Sequence, residues 1–293
     1  MTELSGPLDG IAPDTVARFG LDRLPFDQVG KSLAELVDLG GRRVVVTGGG
    51  GADLGQAICH RLARLGAAVA VLDVDKAGAE QVATEIVDRG GEAVAVHADV
   101  TDWDGIHAAM QTVADELGGM DVLVNNAGGA LRLHAPFREM TKEGFERQVG
   151  VNLLGVVFAI RAALDHLAST GRGRVINIAS EGGKIGLPNI AVYNACKSGV
   201  IGLTRNLAVE LAPDHVSVVA VCPGIMMGPH AIERFRAATG SPSTATLGIA
   251  MQRISIGRVS LPEEVANVVA FLASDAGSYV HGTAVSVGGG LAS

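Results

Sequence analysis

The sequence predicts an α/β fold: a doubly wound, mostly parallel, seven-stranded sheet with helices on both faces, in a single domain. Three observations predict it. Seven short apolar runs, mostly rich in Val and Ile, recur along the chain, longer helical patterns lie between them, and the first run ends in a glycine-rich turn that opens a helix. Most of the runs are continuously apolar rather than alternating, which suits strands covered on both faces. Strands alternating with helices, joined by right-handed crossovers, place ligands at the carboxyl ends of the strands.

The strand candidates in order are Arg43 to Thr47, Ala67 to Asp73, Ala93 to Ala98, Asp121 to Asn125, Arg174 to Ser180, Ser217 to Cys222 and Ala284 to Val287. Helix candidates lie near 55–65, 76–89, 102–117, 142–169, 193–212 and 262–274. The stretch 229–258 holds no strand pattern and predicts one or two short helices, a flap beside the ligand crevice. Residues 1–40 are turn-rich and lack a sustained period. They form an N-terminal extension, either flexible or wrapped on a neighbouring subunit, ahead of a domain at 41–293.

Composition narrows the function. The 293 residues are 48% apolar and 18% charged, which excludes a disordered chain. With 23 basic and 31 acidic residues the net charge is −8, and no Lys/Arg cluster tracks a phosphate backbone, so nucleic acid is excluded as a partner. Cys59, Cys196 and Cys222 are scattered, as suits a reducing, cytoplasmic setting. The first forty residues carry seven acids and three bases and no unbroken apolar stretch, unlike a secretory or transit segment. No apolar run approaches the roughly 20 residues that cross a bilayer, so no membrane role is expected. Forty glycines are about twice the usual share of roughly 7%. They mark either turns or places where backbone approaches a ligand closely.

One such place is Thr47-Gly48-Gly49-Gly50-Gly51-Ala52-Asp53-Leu54-Gly55, between the first strand and the helical run from Gln56. Glycines permit a tight turn and close approach, and the N–H groups at a helix start favour a pyrophosphate. Asp73 ends the second strand eighteen residues after Gly55, near the roughly 20-residue spacing of an acid that binds adenosine ribose hydroxyls. A carboxylate there, with Asp53 in the loop, would repel a 2′-phosphate by a few kcal/mol at about 4 Å. NAD is therefore expected over NADP. The alternative reading of Asp73 is a cap on the following turn.

Tyr193 and Lys197 are four apart at the start of a helical pattern and project from one face. An ammonium beside a phenol favours phenolate and moves the group toward acid/base use near neutral pH. Thirteen residues earlier, Ser180 ends a strand, where its hydroxyl can reach the same crevice.

With these features stand Asp99-Val100 after the third strand, Asn125-Asn126-Ala127-Gly128 after the fourth, Val151-Asn152-Leu153-Leu154-Gly155, and Pro223-Gly224 after the sixth. Together they resemble the single-domain branch of the short-chain dehydrogenase/reductase family, over residues 41–290. The resemblance implies a Rossmann fold and a homo-tetramer built partly on the helices at 142–169 and 193–212. It implies that Gly48, Gly51, Asp53, Leu54 and Gly55 meet the pyrophosphate side of the dinucleotide. Asp73, Val74, Asp99, Val100, Asn126, Ala127 and Gly128 would line the adenosine side, and Pro223, Gly224 and Ile225 the nicotinamide. Tyr193 would pass a proton to or from the substrate oxygen, and Lys197 would hold the nicotinamide ribose and lower the Tyr193 pKa. Ser180 would hydrogen-bond the substrate oxygen, and Asn152 would help hold a water that links Lys197 to solvent. Asn126 has a second reading as a tie between strands, and Pro223-Gly224 as a plain turn.

Departures from the family pattern are an extra residue in the glycine loop at Asp53, Gly228 where a threonine is common, and Gly288 in place of the aspartate of a terminal V-D-G-G. His134 reads as a solvent-exposed loop residue. Glu181 either sets substrate polarity or turns to water, and Cys196 reads as buried and inert. No spacing of His and acids predicts a metal. The function expected is an oxidoreductase moving a hydride between NAD(H) and a small secondary alcohol or its ketone. One rival is an NADPH-dependent 3-oxoacyl reductase, which Asp73 disfavours. The other is a catalytically silent, dinucleotide-sensing binding protein on the same scaffold, which the full Ser180, Tyr193 and Lys197 set disfavours.

Overall fold

The computed structural model describes residues 11–51, 53–131, 133–228, 232–233 and 242–292. The chain divides into two units, Met1–Leu36 and Val37–Ser293. In the first unit, helix α1 (Pro13–Phe19) begins on a proline and ends at Gly20 in the left-handed region, and two single 3₁₀ turns lead to the one-turn helix α2 (Leu33–Leu36). Ser32 and Glu35 brace α2: the Glu35 carboxylate accepts from the Ser32 amide and hydroxyl, which lowers its pKa. None of these helices and turns buries a residue.

In the second unit the strands are β1 (Arg43–Thr47), β2 (Ala68–Asp73), β3 (Glu92–His97), β4 (Val122–Asn125), β5 (Gly173–Ile178), β6 (Val216–Pro223) and β7 (Ala284–Val287). The helices are α3 (Leu54–Arg64), α4 (Lys76–Val87), α5 (Trp103–Leu117), α6 (Lys142–Val149), α7 (Gly155–Ser169), α8 (Ala191–Glu210), α9 (Pro242–Met251) and α10 (Pro262–Ala273). All seven strands pair in parallel in the order β3-β2-β1-β4-β5-β6-β7. The order reverses between β1 and β4, which opens a crevice beyond their carboxyl ends. Strand bounds lie within two residues of those read from the sequence.

The continuous apolar strands have a simple cause. Side chains alternate across a strand, so Val45 points into one layer and Val44 and Val46 into the other. The first layer contains Ile106 and Met110 of α5, Val156 and Ile160 of α7 and Val200 of α8. The second contains Ile58 and Leu62 of α3, Val82 and Ile86 of α4 and Val265 and Val269 of α10. Each such side chain, fully buried, contributes roughly 1.5–3 kcal/mol.

The amino-terminal edge of the sheet is held by ions. Asp121, fully buried, accepts from Arg43 Nε at 2.8 Å, the Arg43 amide at 3.0 Å and Arg172 Nε at 2.9 Å, so its pKa is low despite burial. Arg42 Nη2 donates to Asp275 Oδ1 at 2.5 Å, and Arg174 donates to the Leu272 and Ser274 carbonyls. Burial, chiefly, pushes the Arg174 pKa down to about 10.

The helix expected over 142–169 is interrupted. Between α6 and α7, Gly150–Leu154 form a π turn that contains Asn152. By length and composition alone this 28-residue run is apolar enough to cross a membrane, a test that the core helix of a globular protein also passes. Its α7 face, however, buries Val156, Ala159, Ile160, Ala163 and Leu167 in the protein core.

Candidate active site

A cleft of about 740 Å³ lies at the carboxyl ends of the strands, within the roughly 300–1,000 Å³ usual for cofactor and small-molecule sites. Gly48, Gly51, Leu54 and Gly55 line it. Gly48 has φ +65°, and a Cβ there would lie 2.7 Å from Ala127 Cα. A Cβ on Gly55 would overlap the Gly48 carbonyl. The loop is thus folded so tightly that side chains are excluded. Helix α3 starts at Leu54 with no side-chain cap, so its first N–H groups are available to an anion.

Asp73 is 7% exposed and forms the cleft wall with Val74, Asp99 and Val100. Its Oδ1 accepts from the Asp75 amide at 2.9 Å, while Oδ2 lies 3.8 Å from the place a Cβ on Gly51 would take. Capping and facing the loop are therefore both done by this one carboxylate. Asn126 is likewise double: it lines the cleft with Ala127 and Gly128, and its Nδ2 donates to the Thr47 and Gly48 carbonyls at 3.1 and 2.9 Å. Pro223 and Gly224 line the opposite part of the wall.

Ser180 comes from the end of β5, and Tyr193 and Lys197 from the first turns of α8, and all three reach the same wall. Lys197 is 3% exposed; its Nζ donates to the Ile178 carbonyl at 2.7 Å and stands 5.8 Å from the centre of the Tyr193 ring. Burial pushes the Lys197 amine down to about 8. Burial also raises the Tyr193 phenol, against a hydrogen bond with Ser180 that pulls it down. The expected lowering of Tyr193 by Lys197 does not figure among the causes acting on the phenol in the protein alone, where the Ser180 hydrogen bond is the one that lowers it, and desolvation disfavours phenolate and ammonium alike. Tyr279, the other tyrosine, is fully exposed outside the cleft wall.

Three predicted residues sit off the wall. Asn152 is fully buried one layer behind it: Nδ2 donates to the Gly129 carbonyl at 3.0 Å and Gln148 Oε1 at 2.8 Å, and Oδ1 accepts from the Gly129 amide. Asp53, at φ +74°, borders a separate hollow of about 300 Å³ beside Gln56, His60 and Arg61. Its carboxylate abuts Gly228, where any Cβ would collide with Oδ1. Ile225 packs with Ile185 and Leu187 on Ala250, Ile254 and Leu291. Among the described residues no group of acids, histidines and cysteines is placed to hold a metal.

A glycine-walled turn at a helix start, a carboxylate after β2 and a long cleft across the point of strand reversal fit a dinucleotide. A family model described as enoyl-(acyl carrier protein) reductase matches residues 51–292. The cis-4-hydroxycyclohexanecarboxylate dehydrogenase of Sinomonas cyclohexanicum is 40% identical over 248 residues, 85% of this chain and 96% of that one. The chain belongs to the short-chain dehydrogenase/reductase family. Another relative in this family is the meso-2,3-butanediol dehydrogenase of Serratia marcescens, 37% identical over 85% of this chain and 94% of its own. The 3-ketoacyl-(acyl-carrier-protein) reductase of Brucella melitensis, solved as a complex with NADH, superposes with a TM-score of 0.75 at 34% identity. That match covers 87% of this chain and 100% of the other.

Sequence reasoning missed several wall residues of this short-chain dehydrogenase/reductase, among them Leu131, Arg147 and Val151. Arg147 lies at the end of α6 and Val151 one turn on, within the π turn, so only the break in the helix could have announced them. His134, read as exposed, is half-buried, and its pKa is lowered by that burial. Glu181, offered as a residue turned to water, is 2% exposed.

Proposed function

We propose that the protein interconverts a secondary alcohol and its ketone with NAD(H), and that Tyr193 is the acid/base. The observation that carries this is the meeting of Ser180, Tyr193 and Lys197, from two separate elements, on one wall of a cleft suited to a dinucleotide. Gly48, Gly51 and Gly55, with the α3 amides, would hold the pyrophosphate, and Asp73 the adenosine ribose. The bound nicotinamide supplies the hydride chemistry. Lys197, fixed on the Ile178 carbonyl, orients the ribose and places a charge near the Tyr193 ring. In reduction the Tyr193 hydroxyl gives its proton to the carbonyl oxygen, and in oxidation the phenolate takes it from the alcohol. Ser180 Oγ donates a hydrogen bond to the same oxygen as charge develops on it. Asn152 holds Gly129, and with it the loop after β4, against α6.

Asp73 supports NAD over NADP, since its Oδ2 faces the loop where a 2′-phosphate would add charge. The relatives that act on cyclic and vicinal hydroxyl compounds support a small secondary alcohol as substrate, and the family supports a homo-tetramer. The test is a panel of cyclic and acyclic secondary alcohols with NAD⁺ followed as NADH absorbance, with 3-oxoacyl thioesters and NADPH as the competing arm. Tyr193→Phe is expected to abolish turnover while retaining NADH binding. Full activity in that variant, or turnover only with NADPH, refutes the assignment.

A further inference from the structure

Glu181 follows Ser180 directly, yet it is almost wholly buried and absent from the cleft wall. Its side chain leads to the end of β7, crossing the end of β6, where Cys222 feels its charge. There Gly288 makes room: a Cβ on that residue would lie 2.5 Å from Glu181 Cγ and 2.8 Å from Cδ. The carboxylate accepts no hydrogen bond at Oε1 among the described residues, and Lys184 Nζ stands 3.8 Å away as its counter-charge. Lys184 is itself fastened to β7, donating to Ser286 Oγ at 2.6 Å and the Ala284 carbonyl at 3.0 Å. Glu181 and Lys184 belong to the same turn, so their ion pair holds the Lys184 side chain in place. The turn is tied to β7 by the Lys184 hydrogen bonds and by the packing of Glu181 against Gly288.

The segment so tethered is the single turn that carries Ser180. Its other side is pressed on α8: a Cβ on Gly182 would overlap Asn194 Oδ1, and one on Gly183 would lie 2.8 Å from the Lys197 carbonyl carbon. Ser180 Oγ accepts from the Gly182 amide at 3.0 Å within the turn. The turn is therefore clamped between α8, which bears Tyr193 and Lys197, and β7, which it reaches through Glu181 and Lys184.

The geometry points to Glu181 as a positioning residue for Ser180, acting through the space left by Gly288 and the charge of Lys184. It touches neither substrate nor dinucleotide; it fixes where the Ser180 hydroxyl stands relative to Tyr193. The inference rests on the alcohol dehydrogenase reading above and adds to it a residue pair, Glu181 and Gly288, whose identities are coupled. A carboxylate arriving from position 288 would fill the same space from the opposite side.

The experiment compares wild type with Glu181→Gln, Glu181→Ala, Gly288→Asp and the Glu181→Ala/Gly288→Asp double variant. For each, kcat and KM for the alcohol, NADH affinity by fluorescence, and the unfolding midpoint are measured. Glu181→Ala and the near-isosteric Glu181→Gln are expected to lower kcat about 10- to 100-fold, the cost of a misplaced catalytic group. The alcohol KM and NADH affinity should change less than about threefold, since only a contact made as charge develops is lost. Gly288→Asp alone crowds two carboxylates and is expected to lower both kcat and the midpoint, and the double variant to recover most of each. Unchanged kcat in Glu181→Gln and Glu181→Ala, or a double variant no better than the product of its singles, overturns the inference. Wild type that turns over no alcohol instead refutes the function, and the coupling between positions 181 and 288 is then read from the unfolding midpoints.

Discussion

Replacing Lys197 with methionine should stabilise the folded chain while removing its activity. The amine is 3% exposed, hydrogen-bonds only the Ile178 carbonyl among the described residues, and has no carboxylate within ion-pair distance there. Moving it from an ordinary 10.5 to about 8, at about 1.4 kcal/mol per pH unit, means a cost of about 3 kcal/mol for keeping it charged in the fold. Methionine has a similar length and no charge. Losing the hydrogen bond returns about 1 kcal/mol, which leaves a net gain of about 2 kcal/mol and a rise of about 4–8 °C in midpoint for a domain of this size. The pH dependence is the sharper signature. Below about pH 8 the folded and unfolded wild-type chains both carry the proton, and the penalty is complete. Between pH 8 and 10.5 the folded chain releases it while the unfolded chain keeps it, so wild type gains stability and the gap to Lys197→Met closes. Differential scanning calorimetry of both proteins from pH 7 to 10.5, without added dinucleotide, checks this. A variant no more stable than wild type at pH 7, or a gap that does not shrink with pH, refutes the reasoning.

Four further outcomes follow from the same geometry. Asp73→Ser should raise NADPH affinity relative to NADH by about tenfold or more, since a few kcal/mol of repulsion is removed; parallel fluorescence titrations report the ratio. Gly55→Ala should abolish NADH binding, because its Cβ would overlap the Gly48 carbonyl, and isothermal calorimetry would show this directly. Gln148→Ala removes one of the acceptors of Asn152 Nδ2 and the side-chain donor to the Ala130 carbonyl. It should lower stability by about 1–3 kcal/mol in urea unfolding. Asp275→Ala leaves Arg42 and Arg174 facing one another and should cost about 2–3 kcal/mol, with a midpoint loss that added salt reduces.

The sheet was legible because burial on two faces leaves a plain mark: Val44, Val45 and Val46 are all apolar because each meets a covered layer. Ser180, Tyr193 and Lys197 were legible through spacing, one at a strand end and two a helical turn apart. What escaped depends on neighbours distant in sequence. Nothing near Glu181 says that Gly288, over a hundred residues later, vacates the space that buries it. Asp53 and Gly228 form a similar pair, a carboxylate in an altered loop and a glycine that admits it, and each alone looked like an isolated departure. The π turn at Asn152 was hidden because helix periodicity continues on both sides of it.

With only two tyrosines in the chain, one on the cleft wall beside Lys197 and the other wholly in solvent, the protein carries its own optical probe. Phenol and phenolate absorb at different ultraviolet wavelengths. Any part of an alkaline spectral titration that moves when a dinucleotide or substrate analogue is added belongs to Tyr193, since Tyr279 lies outside the cleft wall. The ionisation of the proposed acid/base can be followed without a label, an isotope or a turnover assay.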